Sequence, residues 1–223
     1  MTFVSDVVND ESYAGLPEKQ TQPRLIICEG HSDNGVLLAV SRAFDLSGAQ
    51  LHVARGRGNF SRPLRAARVQ GYKAILLVSD NDDDPADSWK EVCAQIREAG
   101  YEVPAGPRAA VVDQNGGPSL RVLMIPWDNV KGAIETLCLP AMESLFADKV
   151  KCVDEFCRCA DIDKKWGDTP RSIARVECLL ACTQERAPKI GLGHFVIKTT
   201  CSIDFNHDCF KRVGEALRVF SSG

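Results

Sequence analysis

The sequence predicts an α/β protein, a parallel sheet flanked by helices and followed by a mostly helical C-terminal extension. Three observations carry this reading. Short aliphatic runs at 24–28, 50–54 and 74–79 alternate with segments whose apolar residues recur at helical spacing. Two of those runs end abruptly in acid, at Glu29 and at Asp80. Beyond about residue 140 the strand pattern gives way to helical periods. Strands alternating with helices of this length imply βαβ units and a parallel sheet.

In chain order, residues 1–22 are mixed and acidic, without a charged-then-apolar signal pattern, and read as a flexible leader of a cytoplasmic protein. Arg24 to Cys28 is a strand, and Glu29-Gly30 a tight turn. Val36, Leu37, Val40 and Phe44 then mark a helix capped by Ser32 or Asp33. Gln50 to Ala54 is a second strand, and Arg62 to Gln70 a helix with Pro63 in its first turn. Ala74 to Ser79, aliphatic and introduced by Gly71, is a strand buried on both faces. Asp87 to Ala99 makes the next helix, closed by Gly100. Residues 108–113 and 119–125 are both strand-like around Gln114-Asn115-Gly116-Gly117-Pro118 and predict a hairpin. Helices are expected over 129–139, 142–159 and 207–220, and from Thr169 as cap with Pro170 in first position. The division is therefore a leader (1–22), an α/β domain (23–140) and a helical C-terminal extension (141–223).

Composition bounds the function. The chain has 223 residues, 44% of them hydrophobic and 26% charged, enough for a sizeable core. No apolar stretch approaches the roughly 20 residues of a spanning helix. Ten cysteines without an export signal read as reduced thiols, with Cys28, Cys93 and Cys138 as core fillers. Cys152, Cys157, Cys159, Cys178, Cys182, Cys201, Cys209 and His207 supply zinc-type ligands but no paired CxxC knuckle, so a structural zinc is not expected. A net charge of −3 argues against bulk coating of nucleic acid. Locally, however, Arg42, Arg55, Arg57, Arg62, Arg65, Arg68 and Lys73 share a stretch whose only acid is Asp45. Such a stretch either holds a phosphate backbone, with Arg55, Arg57, Arg62 and Arg65 as the candidates, or solvates helix faces.

The acids carry the chemistry. Ligands of open α/β sheets sit beyond the carboxyl ends of strands, where Asp80, Asp82, Asp83 and Asp84 would project. Four carboxylates in five residues either hold a hard cation, Mg²⁺ or Mn²⁺, or form a solvated loop that caps the helix near Asp87. Glu29 and Asp33 lie at the first strand end and converge with Asp80 and Asp82 if the strands are close. His31 and His207 read either as catalytic groups or as turn and surface residues.

Leu25-Ile26-Ile27-Cys28-Glu29-Gly30-x-x-Asp33 and Leu76-Leu77-Val78-Ser79-Asp80-x-Asp82 together resemble the Toprim domain of topoisomerases, bacterial primases and OLD-family nucleases. Ile125-Pro126-Trp127-Asp128-Asn129 with Gly132-Ala133-Ile134-Glu135 is similar to small standalone Toprim-like proteins, and the resemblance reaches to about residue 140. It implies a Rossmannoid parallel sheet and one or two Mg²⁺ or Mn²⁺ ions. Glu29 would be general acid/base or ligand, Asp80 and Asp82 the metal-binding pair, and Asp33 and Glu135 further ligands. The implied activity is cleavage of DNA or RNA phosphodiesters, with Glu29, Asp80 and Asp82 as the catalytic set.

The chain departs from these relatives in several ways. Tyr13, Tyr72 and Tyr101 lack a topoisomerase context, no phosphate-binding G-x-x-x-x-G-K-[ST] loop is present, and a late-helix lysine is replaced by Arg171, Arg175, Lys189 or Lys198. A metal-dependent nuclease is the leading expectation, while the missing lysine and missing partner domain favour the alternative of a catalytically weak or inactive nucleic-acid-binding or regulatory module that works with a partner, such as a separately encoded ATPase. A haloacid-dehalogenase-type phosphatase ranks last, because its DxD follows the first strand and here it follows the third.

Overall fold

A computed structural model describes residues 4–5, 20–112, 116–182, 191–197 and 202–222. Most of the leader, the turn residues 114 and 115, Lys189, Lys198 and Cys201 lie outside these residues. Strands β1 (Val4–Ser5), β2 (Arg24–Cys28), β3 (Ala49–Val53), β4 (Ala74–Asp80) and β5 (Ser119–Ile125) form one parallel sheet in the order β1-β3-β2-β4-β5. The helices are α1 (His31–Ala43), α2 (Ser61–Gln70), α3 (Pro85–Glu98), α4 (Ile134–Leu145), α5 (Ala147–Cys159), α6 (Ile162–Lys165), α7 (Asp168–Ala181), α8 (Leu192–Ile197) and α9 (Asp208–Ser222). A short 3₁₀ turn spans Arg57–Asn59. No helix among the described residues is long and apolar enough to cross a membrane.

Side chains alternate across each strand, so the sheet has two buried faces. Leu25, Ile27, Ile75, Leu77 and Val122 pack with Phe60, Leu64, Val92 and Ile96 beneath α2 and α3. Ile26, Cys28, Leu76, Val78, Leu123 and Ile125 face the other way, into a core shared with α1, α4 and the later helices, including Val176, Phe210 and Leu217. β2 and β4 are central neighbours, with Cys28 level with Val78. Glu29 and Asp80 therefore leave adjacent strands at the same end of the sheet.

Three local expectations are corrected. The hairpin reduces to one antiparallel bridge, Val111 to Leu120, while β5 pairs with β4 in parallel. Arg108 has a positive φ of 67°, which interrupts an extended strand there. The helix expected from Asn129 begins at Ile134, because Gly132 pairs with Asp82 instead, and it continues through Pro140 on a buried face of Leu137, Cys138, Ala141 and Met142. α7 starts at Asp168 with Gly167 as cap, two residues before the local cap signal at Thr169. The reason is distant in sequence: Asp83 Oδ1 accepts the Thr169 N–H at 3.0 Å.

Helix α8 crosses α1 at two glycines. A Cβ built on Gly35 would lie 2.7 Å from the Gly193 backbone. On helix propensity alone Gly35→Ala should stabilise by about 1 kcal/mol. Here overpacking reverses the sign, and urea unfolding is expected to show a loss of about 1–3 kcal/mol.

Candidate functional site

The run Asp80-Asn81-Asp82-Asp83-Asp84 divides its labour. Asp84 caps α3, its Oδ1 accepting the N–H groups of Ala86 (3.0 Å) and Asp87 (3.1 Å). Asp83 caps α7. Asp80 and Asp82, the latter in a left-handed conformation at φ 51°, remain at the end of β4.

Opposite them, Glu29 Oε1 accepts the Asp80 N–H at 3.0 Å, the Ser79 hydroxyl, and Arg57 Nε at 3.1 Å. Arg57 reaches this position because the chain after β3 turns back over the end of β2. The Ala54 N–H bonds the Cys28 carbonyl and the Gly56 N–H bonds the Glu29 carbonyl. That path needs positive φ at Arg55 (60°) and Gly56 (111°), and the second suits glycine. Arg57 Nε is shared with Ser79 Oγ at 3.0 Å. Nη1 bonds Glu91 at 3.0 Å, and Nη2 bonds the Asp80 carbonyl at 2.8 Å and Asp82 Oδ2 at 2.7 Å. Its side chain is 11% exposed. Burial lowers its pKa, but the charges of Glu29 and Asp82 outweigh burial and raise it above the ordinary arginine value.

A second group of acids has no such counter-ion. Asp33 is buried in the first turn of α1, with Oδ2 accepting the Gly30 N–H at 2.9 Å and Oδ1 without a hydrogen-bond partner. Asp80 Oδ1 is likewise buried and unpartnered. Burial, then the charge of Glu29, pushes the Asp33 carboxyl up to about 7. Burial, then the charge of Asp33, pushes Asp80 well above the carboxylate range. Glu135, in the first turn of α4, acts on both through its charge. Burial raises its own pKa, against a hydrogen bond from the Ser32 side chain.

The structure thus brings Glu29, Asp33, Asp80, Asp82 and Glu135 to one end of the sheet, with Arg57 among them. The two orphaned oxygens are chemically suited to a hard cation. Mg²⁺ keeps several waters among its oxygen ligands and takes one or two carboxylates, and of the acids here Glu29 Oε1 and Asp82 Oδ2 are engaged by Arg57. Among the described residues no group of three or more His, Cys, Asp or Glu side chains is arranged to hold a metal ion.

Of the arginines expected at phosphate, Arg57 is turned into the acids. Arg55, Arg62 and Arg65 are exposed, with Arg65 paired to Glu98 at 2.5 Å. Arg171 bonds Asp168, and Arg175 bonds Glu143 (2.6 Å) and Asp154 (2.7 Å), so both are paired with acids of the later helices. His31 is exposed, and His207 Nδ1 meets Cys209 Sγ at 3.1 Å.

Asn81 escaped the sequence reading. Fully buried, its Nδ2 bonds the carbonyls of Asp128 (2.7 Å) and Val130 (2.8 Å), and its backbone carbonyl accepts the Ser88 hydroxyl at 2.7 Å. It ties the end of β4 to the loop after β5. The available signal was one amide within a run of acids.

Because Asp33 has a raised folded pKa, the folded state binds the extra proton between about pH 4 and pH 7. Its contribution is therefore favourable below pH 4 and lost as pH rises through 7. Asp33→Asn keeps the acceptor for Gly30 and removes the charge. Urea unfolding at pH 8 is expected to find the variant more stable by about 1 kcal/mol or more, with the difference shrinking towards pH 4.

A comparison with curated proteins finds no match for this sequence. Among solved structures, the chain is similar to the C-terminal region of the Xanthomonas campestris pv. campestris OLD protein, at 12% identity and TM-score 0.43, covering 90% of this chain and 96% of that one. It is also similar to the C-terminal region of the Burkholderia pseudomallei OLD protein, at 15% identity and TM-score 0.37, covering 91% and 90%. The family model described as a protein of unknown function, DUF3226, matches residues 23–219, and the chain belongs to that family.

Proposed function

We propose that the chain is a Toprim-like nucleic-acid-binding module with weak or no turnover of its own, working with a partner protein. The observation that carries this reading is Arg57. Its guanidinium engages Glu29 and Asp82, two of the three residues expected to perform metal-assisted cleavage. A cation-dependent phosphodiesterase needs those carboxylates open to its metal. Phosphate binding falls to the exposed Arg55, Arg62 and Arg65, through release of counter-ions from the nucleic acid. Arg57 is then a residue that holds the strand ends together.

A second reading has its own observation, the unpartnered Oδ1 atoms of Asp33 and Asp80. If Arg57 is displaced when substrate arrives, Glu29, Asp33, Asp80, Asp82 and Glu135 would hold Mg²⁺ or Mn²⁺, and the chain would be the metal-dependent nuclease. The ion would supply Lewis-acid stabilisation of charge on the phosphate.

Labelled single- and double-stranded DNA and RNA, incubated with the full chain in EDTA, Mg²⁺ or Mn²⁺, separate the two. The module reading expects retention in EDTA, and no cutting above the background of Glu29→Gln. Combined Arg62→Gln and Arg65→Gln should then weaken retention and lower the log–log salt slope by about 1–2. Metal-dependent cutting that is lost in both Glu29→Gln and Asp80→Asn overturns it in favour of the nuclease. Absence of binding to all four substrates overturns both.

A further inference from the structure

Away from the strand-end acids, the outer edge of β5 opens into a cleft of about 350 Å³ beside α9. That volume falls in the range of small-molecule sites, about 300–1,000 Å³. Its apolar lining includes Leu76 and Leu123 from the sheet and Ala216 and Val219 from α9. Three guanidinium groups, Arg108, Arg121 and Arg212, share it with one carboxylate, Glu215.

Arg121 is out of place for a strand residue. It stands level with Leu76 of β4 and on the strand face of Leu123 and Ile125, both fully buried. Such a position ordinarily takes an apolar side chain, and a half-buried cation calls for a counter-charge. Among the described residues neither Arg121 nor Arg212 is ion-paired. Arg108, by contrast, is fixed by two bonds to Asp128, at 2.9 and 2.6 Å, and lies 4.9 Å from the centroid of the Trp127 ring. Arg212 approaches the same ring at 5.8 Å.

A ligand matching this cleft brings an anion for Arg121 and Arg212 together with an apolar or flat body for the lining. Guanidinium is the planar, multi-donor partner of phosphate. Inorganic phosphate meets only the first requirement, and a nucleic-acid strand exceeds the volume. We propose that the β5-edge cleft binds a free nucleoside phosphate, with the phosphate on Arg121 and Arg212 and the nucleoside against the apolar lining beside Trp127. The Trp127–Val130 loop is bonded through Asn81 to the end of β4, so the occupied cleft adjoins the segment that carries Asp80 and Asp82.

The test is titration calorimetry of the full chain in EDTA with AMP, adenosine, inorganic phosphate and a 5′-phosphorylated oligonucleotide. EDTA keeps it independent of any metal or cleavage at the acids. AMP should bind saturably, and adenosine and inorganic phosphate should each bind at least about tenfold more weakly. Arg121→Gln and Arg212→Gln should each weaken AMP by about tenfold or more. Arg212 is exposed on α9, so its variant keeps the test readable should circular dichroism show that Arg121→Gln does not fold. Lack of saturation by AMP up to about 1 mM overturns the proposal. So does equal affinity for inorganic phosphate, binding of the oligonucleotide but not AMP, or AMP affinity unchanged in a folded variant.

Discussion

Glu29 and Asp82 leave neighbouring strand ends within reach of one another, and the Arg57 guanidinium between them makes that proximity tolerable. Its contacts differ in weight. Glu91 and Asp82 are more than half exposed, so their pairs are worth about 0–1 kcal/mol each. Glu29 is 18% exposed against 11% for Arg57, and its carboxylate also holds the Asp80 backbone and the Ser79 hydroxyl. Breaking a pair of this kind strands a charge and costs several times more, up to about 3–5 kcal/mol when burial is complete. The Glu29 contact therefore dominates. Through it the end of β2, the end of β4 and the turn after β3 are fixed relative to one another.

The acids at this end of the sheet thus fall into three physical classes. Asp83 and Asp84 are consumed by helix N-termini, where an aspartate at the cap is worth about 0.5–2 kcal/mol. Glu29 and Asp82 are neutralised by an internal cation. Asp33, Asp80 and Glu135 are neither, and burial holds all three towards their neutral forms. Like charges clustered in a buried site are relieved either by protons or by a cation.

Much of the fold was legible because its signals are local. The aliphatic runs of β2, β3 and β4 and the helical periods of α1 and α3 depend on near neighbours in sequence, although α1 is capped at Gly30 rather than at Ser32 or Asp33. The convergence of Glu29 with Asp80 followed from strand adjacency. What escaped was set by distant partners. Arg57 reads as one more member of a basic stretch until the chain reversal at Gly56 carries it over Glu29. Asp83 reads as one of four acids that either hold a cation or cap the helix near Asp87, until α7, more than eighty residues later, supplies the Thr169 N–H. Asn81 looks like an interruption among acids until the loop after β5 presents its carbonyls. Helix α8 is seated by the close approach of Gly35 and Gly193, which no periodicity reveals.

Arg57 places a fixed positive charge between Glu29 and Asp82, where a cation would otherwise sit. Mn²⁺ titration calorimetry at neutral pH, comparing the natural chain with a folded Arg57→Gln variant, addresses this directly. With the guanidinium gone, Glu29 and Asp82 become open ligands, and the variant is predicted to bind Mn²⁺ at least about tenfold more tightly than the natural chain. Tight Mn²⁺ binding by the natural chain that is unchanged or weakened in the variant would contradict it.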